Sequence, residues 1–124
     1  MSIRYATRTA LESKFKRARV GAVITRGSRI LSSGCNRIGY SRFIRERHYP
    51  ESIHAEQQAI LRLLHLRSES LVGSTMYVSR VGAFGEPRLA KPCPMCQKII
   101  EAVGIRRVFY TTGKRGDRDG VEQL

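Results

Sequence analysis

Two short segments, His54-Ala55-Glu56 and Pro92-Cys93-Pro94-Met95-Cys96, constrain this chain more than any other feature. One imidazole and two thiols are donors of the kind that hold zinc. His54 and Cys93 are 39 residues apart, so only a fold that brings distant segments together lets them share an ion. Three ligands are one short of the tetrahedral four. A closed structural site supplies the fourth from the protein, whereas a catalytic site leaves it to water. Glu56, two residues past the histidine, is placed to handle that water's protons. Pro94 falls where a helix should begin, since proline suits the first helical position. Cys93 and Cys96 then lie at the positive end of a helix dipole, which favours thiolates. His54 and Glu56 likewise open a helix. The chain must therefore fold so that two helix N-termini meet.

At 124 residues the chain is expected to form one domain, residues 1–124, with a real core and no room for a second. No stretch approaches the roughly 20 apolar residues of a membrane span. The segment Met1-Ser2-Ile3-Arg4-Tyr5 lacks the apolar region of a signal peptide. Three cysteines, two of them in the C-x-x-C, favour a reducing, cytoplasmic setting and metal binding over a disulfide framework. The net charge of +13 is unevenly spread: residues 1–47 carry 12 Lys/Arg against Glu12 and Glu46 alone. A phosphate-bearing ligand is the natural partner of such a field.

Residues 4–19 read as a weakly amphipathic basic helix carrying Leu11, Phe15 and Ala18. Val20 to Thr25 is a short apolar strand, Arg26-Gly27-Ser28 a tight turn, and Arg29 to Cys35 the second strand of a hairpin. Residues 37–53 have no clear period and read as a long loop with room for one helical turn. From His54 to about Arg67, Ala55, Ala59, Ile60, Leu63, Leu64 and Leu66 make a helical stripe. Ser74 to Val81 is a third strand, Gly82 to Lys91 a loop, and Pro94 to about Val103 a helix with Gly104 as its C-terminal cap. Arg106 to Thr112 is a fourth strand. The tail 113–124 is polar and glycine-rich and is expected to be mobile. The order implies a three-layer α/β/α sandwich, with strands three and four parallel across a βαβ unit.

The H-x-E…P-C-x-x-C arrangement is the signature of zinc-dependent nucleobase deaminases. With Gly34-Cys35-Asn36 upstream, the chain resembles the cytidine and deoxycytidylate deaminase superfamily from about Val20 to Tyr110. That superfamily also includes tRNA adenosine deaminases and polynucleotide cytosine deaminases. The resemblance implies a cytidine deaminase-like sandwich with a mixed sheet of four to five strands, the two metal-bearing helices sharing one face. It implies one catalytic Zn2+ on His54, Cys93 and Cys96, with Glu56 as the catalytic acid/base. It places the backbone of Ala55 and of Pro92, and the side chain of Asn36, against the substrate. The expected reaction is hydrolytic loss of ammonia from a nucleobase, the first reading being a cytosine nucleotide such as dCMP. The resemblance also implies self-association into a homo-oligomer. Two departures stand out. Lys91 occupies the position that is acidic in tRNA adenosine deaminases, and only Val121 to Leu124 remains for the relatives' fifth strand.

Other readings stay open on the residues. Single-stranded DNA or RNA is the alternative substrate, because +13 exceeds what one monophosphate requires. Arg37, Arg42, Arg45 and Arg47, with Tyr40, Phe43 and Tyr49 among them, would meet phosphates and stack bases. A non-enzymatic zinc module binding nucleic acid would need a fourth protein ligand, for which Cys35, His48 and His65 are candidates. Cys35 and His48 could also build a second metal site, as in some deoxycytidylate deaminases.

Overall fold

The computed structural model describes residues 2–15, 18–38, 52–66, 70–113 and 121–124. Helix α1 spans Ser2–Ala10, and strands β1 (Arg19–Arg26) and β2 (Arg29–Cys35) form the expected hairpin. Gly27 at φ 61° makes its two-residue turn possible, a conformation costly for a residue with a side chain. Residues 37–53 were expected to be a loop throughout, but their two ends form short strands, β3 (Arg37–Ile38) and β4 (Ser52–Ile53), which pair with each other. Helix α2 (Ala55–Leu66) and strand β5 (Thr75–Val81) follow. Strand β6 (Pro87–Arg88) folds back on β5. Helix α3 (Pro94–Ala102), β7 (Arg107–Thr111) and β8 (Val121–Gln123) complete the order.

The main sheet runs β2-β1-β5-β7-β8, with β6 paired to β5 off this path. Only the β5/β7 pair in that row is parallel, the outcome required by a strand–helix–strand crossover through α3. The sheet is thus mixed, as expected. Alternation along β1 separates its two faces. Ala22 and Ile24 join Met76, Val78 and Val108 in the core beneath α2 and α3, with Ala59, Ile60, Leu63 and Ile100 from the helices. Gly21 faces the other way, onto α1. A Cβ there would collide with the Ala6 carbonyl and the Ala10 amide nitrogen, so glycine lets α1 lie directly on the strand. Thr7 Oγ1 meets Ser79 Oγ at 2.7 Å across the same layer. No helix among the described residues is long and apolar enough to cross a membrane.

Three further expectations need correction. The basic helix ends at Ala10 rather than Arg19, because its buried face is Ala6, Thr9 and Ala10, while Leu11 is 51% exposed. Ser13 ends the run instead: its hydroxyl donates to the Asn36 carbonyl and accepts the Phe15 amide. The loop 82–91 contains β6, paired with Arg80 and Val81. The tail does not stay free to its end. Val121–Gln123 adds to β7 antiparallel, and the Leu124 amide donates to the Val108 carbonyl. Three residues suffice there because β7 offers an unpaired backbone edge that needs partners.

Gly104, at φ 88°, closes α3 as expected. Its amide donates to the Glu101 carbonyl and that of Ile105 to the Ile100 carbonyl, the two bonds of a Schellman cap. The closeness of α1 to β1 predicts that Gly21→Ala, which adds a methyl against backbone that cannot rotate away, destabilises the protein by about 2–3 kcal/mol. Urea unfolding of the two proteins checks this, and an unchanged midpoint would contradict the packing described.

Candidate active site

Both helices that carry the signature residues begin at the same place. His54 precedes α2, and its carbonyl accepts the Gln58 amide, so it caps the helix that was expected to include it. Cys93 caps α3 with an extended backbone, Pro94 follows at the first helical position, and the Gln97 amide returns to the Cys93 carbonyl. Cys96 lies in that first turn and is fully buried, with the half-buried His54 and Cys93 beside it. His54 Nδ1 is 3.3 Å from Cys96 Sγ and 3.9 Å from Cys93 Sγ. The three donor atoms all lie within 4.8 Å of one another.

These spacings test the metal. Zinc bonds of about 2.3 Å to sulfur and about 2.1 Å to nitrogen, opened to a tetrahedral angle, separate the two donors by roughly 3.6 Å. The observed pair of distances brackets that value. The donor set fits Zn2+ without rearrangement, and among the described residues no fourth Cys, His, Asp or Glu joins the group. A closed four-ligand site is therefore not what the described residues build. Cys35 stands apart at the end of β2, its thiol pushed up by burial and then by the Glu12 carboxylate. His48 lies outside the described residues, and the side chain of His65 is likewise not described.

Glu56 is only 5% exposed, a placement that costs free energy for a charged carboxylate. Burial pushes its pKa up to about 7, against the lowering effect of its own backbone hydrogen bond. The Cys96 thiol is raised well above its usual range by burial, then by the Glu56 carboxylate and by Cys93. A divalent cation reverses that balance, because a coordinating thiol is deprotonated outright.

One functional residue escaped the sequence reading. Gln57 is 1% exposed, and its Nε2 donates to Cys96 Sγ at 3.8 Å. Its Oε1 is buried with no hydrogen-bond partner among the described residues. An orphaned acceptor of this kind costs about 1–3 kcal/mol. The amide that carries it supplies the donor that steadies a ligand sulfur. The only sequence signal was a polar residue on the buried stripe of α2. Gln97 plays a related part, its Nε2 donating to the Pro92 carbonyl at 2.8 Å and holding the turn into Cys93.

Asn36 is placed differently from a free substrate contact. Its Oδ1 accepts the Val20 amide and its Nδ2 donates to the Ala18 carbonyl, so the side chain ties the end of β2 to the start of β1. One N–H and one lone pair of that amide are left over. The β3/β4 register, Arg37 opposite Ile53, carries Asn36 toward His54 one step further on. Ala55 is fully buried at the first position of α2. Arg37 is exposed, while Tyr40, Arg42, Arg45 and Arg47 lie outside the described residues, as do Phe43 and Tyr49.

A three-donor site fit for zinc, beside a buried carboxyl titrating near neutrality, defines the centre of a zinc hydrolase. Residues 1–112 match the cytidine and deoxycytidylate deaminase zinc-binding region. A deoxycytidylate deaminase of Mycobacterium phage D29 is 30% identical over 124 residues, covering 85% of this chain and 87% of that one. The dCMP deaminase of cyanophage S-TIM5 superposes with a TM-score of 0.67 at 28% identity, over 89% of this chain and 79% of that one. A cytidine deaminase from Burkholderia pseudomallei shares the fold, with a TM-score of 0.68 at 18% identity over 98% of this chain and 87% of that one. The chain belongs to the cytidine and deoxycytidylate deaminase family and is an enzyme of that type, with Zn2+ as its cofactor.

Two outcomes follow from the site. Gln57→Leu keeps the side chain's bulk but removes the donor, and should weaken zinc binding about 10–100-fold by chelator competition. The second concerns Glu56 in zinc-stripped protein. Its folded pKa, about 7, lies above the ordinary 4.5, so the fold favours the neutral carboxyl. The associated stability is complete below about 4.5 and lost as pH rises through about 7. Glu56→Gln stays neutral throughout, so its stability relative to the parent should climb by roughly 2.5 kcal/mol between pH 5 and pH 8. Parallel stability curves would show that the carboxyl is not desolvated as described.

Proposed function

We propose that this enzyme hydrolyses the cytosine amino group of dCMP, giving dUMP and ammonia. The observation that carries the reaction is the convergence of His54, Cys93 and Cys96 at 3.3–3.9 Å beside a buried Glu56. The choice of nucleotide is supported by the 30% identity to a phage deoxycytidylate deaminase. It is supported again by the positive charge concentrated in residues 1–47, which suits a phosphate.

Zinc on these three side chains supplies a Lewis acid able to bring a water's pKa down to about 7. The chain's own residues do the rest. Glu56, with a pKa near neutrality, takes a proton from the attacking water and returns it to the base. A second transfer reaches the departing amine, so that ammonia leaves and water's oxygen stays on the ring. Glu56 is offset by two residues from His54 along α2, which keeps its carboxylate out of the ligand set. The first-turn amides of α2 and α3 favour the negative charge that develops between them. Ala55 offers its backbone N–H and Pro92 its carbonyl, the latter held by Gln97, to orient the base. The unused capacity of the Asn36 amide serves the sugar.

The test is an ammonia-release screen over dCMP, dCTP, cytidine, and short single-stranded DNA and RNA. The dCMP reading expects turnover of the monophosphate. In Glu56→Gln it expects a loss of at least about 1,000-fold with zinc content unchanged. Release from single-stranded DNA or RNA but none from dCMP would replace the substrate. Full activity in Glu56→Gln would overturn the assignment of the acid/base.

A further inference from the structure

The hairpin between β5 and β6 is not used by the reaction, yet it is built as a defined surface. Phe84 at its tip is 95% exposed, the most exposed large apolar side chain among the described residues. Its presentation is ordered rather than accidental. The Phe84 amide donates to Glu86 Oε1, that of Gly82 to the Glu86 carbonyl, and that of Gly85, at φ 81°, to the Gly82 carbonyl. The Arg19 guanidinium braces the same turn through the Gly82 carbonyl at 3.0 Å.

Behind the tip, Arg80 and Arg88 are direct cross-strand partners, both exposed. Cross-strand partners project from the same face, and like charges placed so are destabilising unless an anion lies between them. Arg80 shares the alternation of Met76 and Val78, so the pair stands on the face that carries α2 and α3. The chain then runs through exposed Lys91 directly into Pro92 and Cys93. Glu86 is the one acid in this stretch; its carboxylate accepts the Phe84 amide and also lies near the Arg88 guanidinium, since a Cβ on Gly82 would meet both side chains. An aromatic ring in water, two opposed arginines and a lysine, in one segment ending at the catalytic zinc ligands, match the pattern for single strands: cations on the backbone and a ring under a base.

We propose that the β5–β6 hairpin docks single-stranded nucleic acid, with Arg80 and Arg88 on successive phosphates and Phe84 stacked on a base. The inference goes beyond the deamination of dCMP and does not depend on it, because it concerns binding rather than turnover. The choice of nucleic acid over a protein partner rests on charge: residues 80–91 carry Arg80, Arg88 and Lys91 against Glu86 alone, a surface complementary to a polyanion.

The experiment is fluorescence anisotropy of the zinc-loaded protein with a labelled oligo-dT of about 15 nucleotides, long enough to span such a site and without a cytosine to deaminate. Phe84→Ala should weaken binding about tenfold or more. Arg80→Ala/Arg88→Ala should reduce the slope of log affinity against log salt by about 1.4, two phosphates' worth for a single strand. Arg80→Lys/Arg88→Lys should restore that slope, which separates charge from folding. Parent-like binding in both alanine variants overturns the proposal. It is also overturned if the double alanine variant raises KM for dCMP tenfold while oligonucleotide binding is unchanged, since the pair would then serve a free nucleotide. Loss of self-association in Phe84→Ala at constant oligonucleotide affinity, seen by sedimentation, would assign the ring to a second copy instead.

Discussion

Everything at the centre of this molecule depends on holding two thiols within 3.3–3.9 Å of an imidazole at the junction of two helix N-termini. Separate segments supply those donors, and the sheet brings them together. The parallel pairing of β5 with β7 requires a crossover, and α3 is that crossover. It runs back over the sheet with its N-terminus above the end of β5. The interior face of β1 and β2 seats α2 beside it, Gly34 permitting close approach to Ala59 and Gln58. Two positive helix ends therefore surround one point, which suits thiolates and the anionic stages of hydrolysis.

The site is held by buried polar groups that would be liabilities elsewhere. Glu56, Gln57 and Cys96 all lie in the interior, where the Gln57 amide supports the Cys96 sulfur and a bound cation would offset the charge of thiolate and carboxylate together. Desolvation brings the carboxyl of Glu56 to a pKa of about 7, where it can both accept and release a proton in neutral water. Gln57 offers its amide to sulfur at the expense of an orphaned carbonyl oxygen. Ligand, buried carboxyl and ligand partner thus occupy neighbouring positions of one segment, residues 54–57. A single rotation of α2 would lose all of them together.

The 39-residue separation of His54 from Cys93 has a structural meaning as well. About half of it is α2 and β5, and the last part is the hairpin that ends in β6 and leads to the metal ligands. That hairpin lies off the main row of strands and contributes little to the core apart from Ala90, just beyond it. Its exposed ring and opposed arginines put surface chemistry in the segment that leads directly into buried metal ligands. A short insertion can alter which ligands approach the metal without altering the metal's surroundings.

The sequence alone determined the ligand set, the carboxyl beside it, the first hairpin, α2, α3 and the parallel pair. These are properties of short segments: residue types at fixed spacing, a proline at a helix start, a glycine at its end, apolar periodicity. Tertiary structure decided the rest. Leu11 suggested a longer first helix, but the face that fits over Gly21 stops at Ala10. The composition of the chain's polar end gave no sign of a strand, and only the resemblance pointed to Val121–Leu124, because β8 exists only where β7 leaves an edge to pair. Asn36 looked like a substrate residue, and only the neighbouring strand shows that its amide also joins Ala18 and Val20. Gln57 read as one more helix residue until α3 placed a sulfur beside it. In each case the deciding partner is far away in sequence, and a local pattern carries no record of what the fold will set against it.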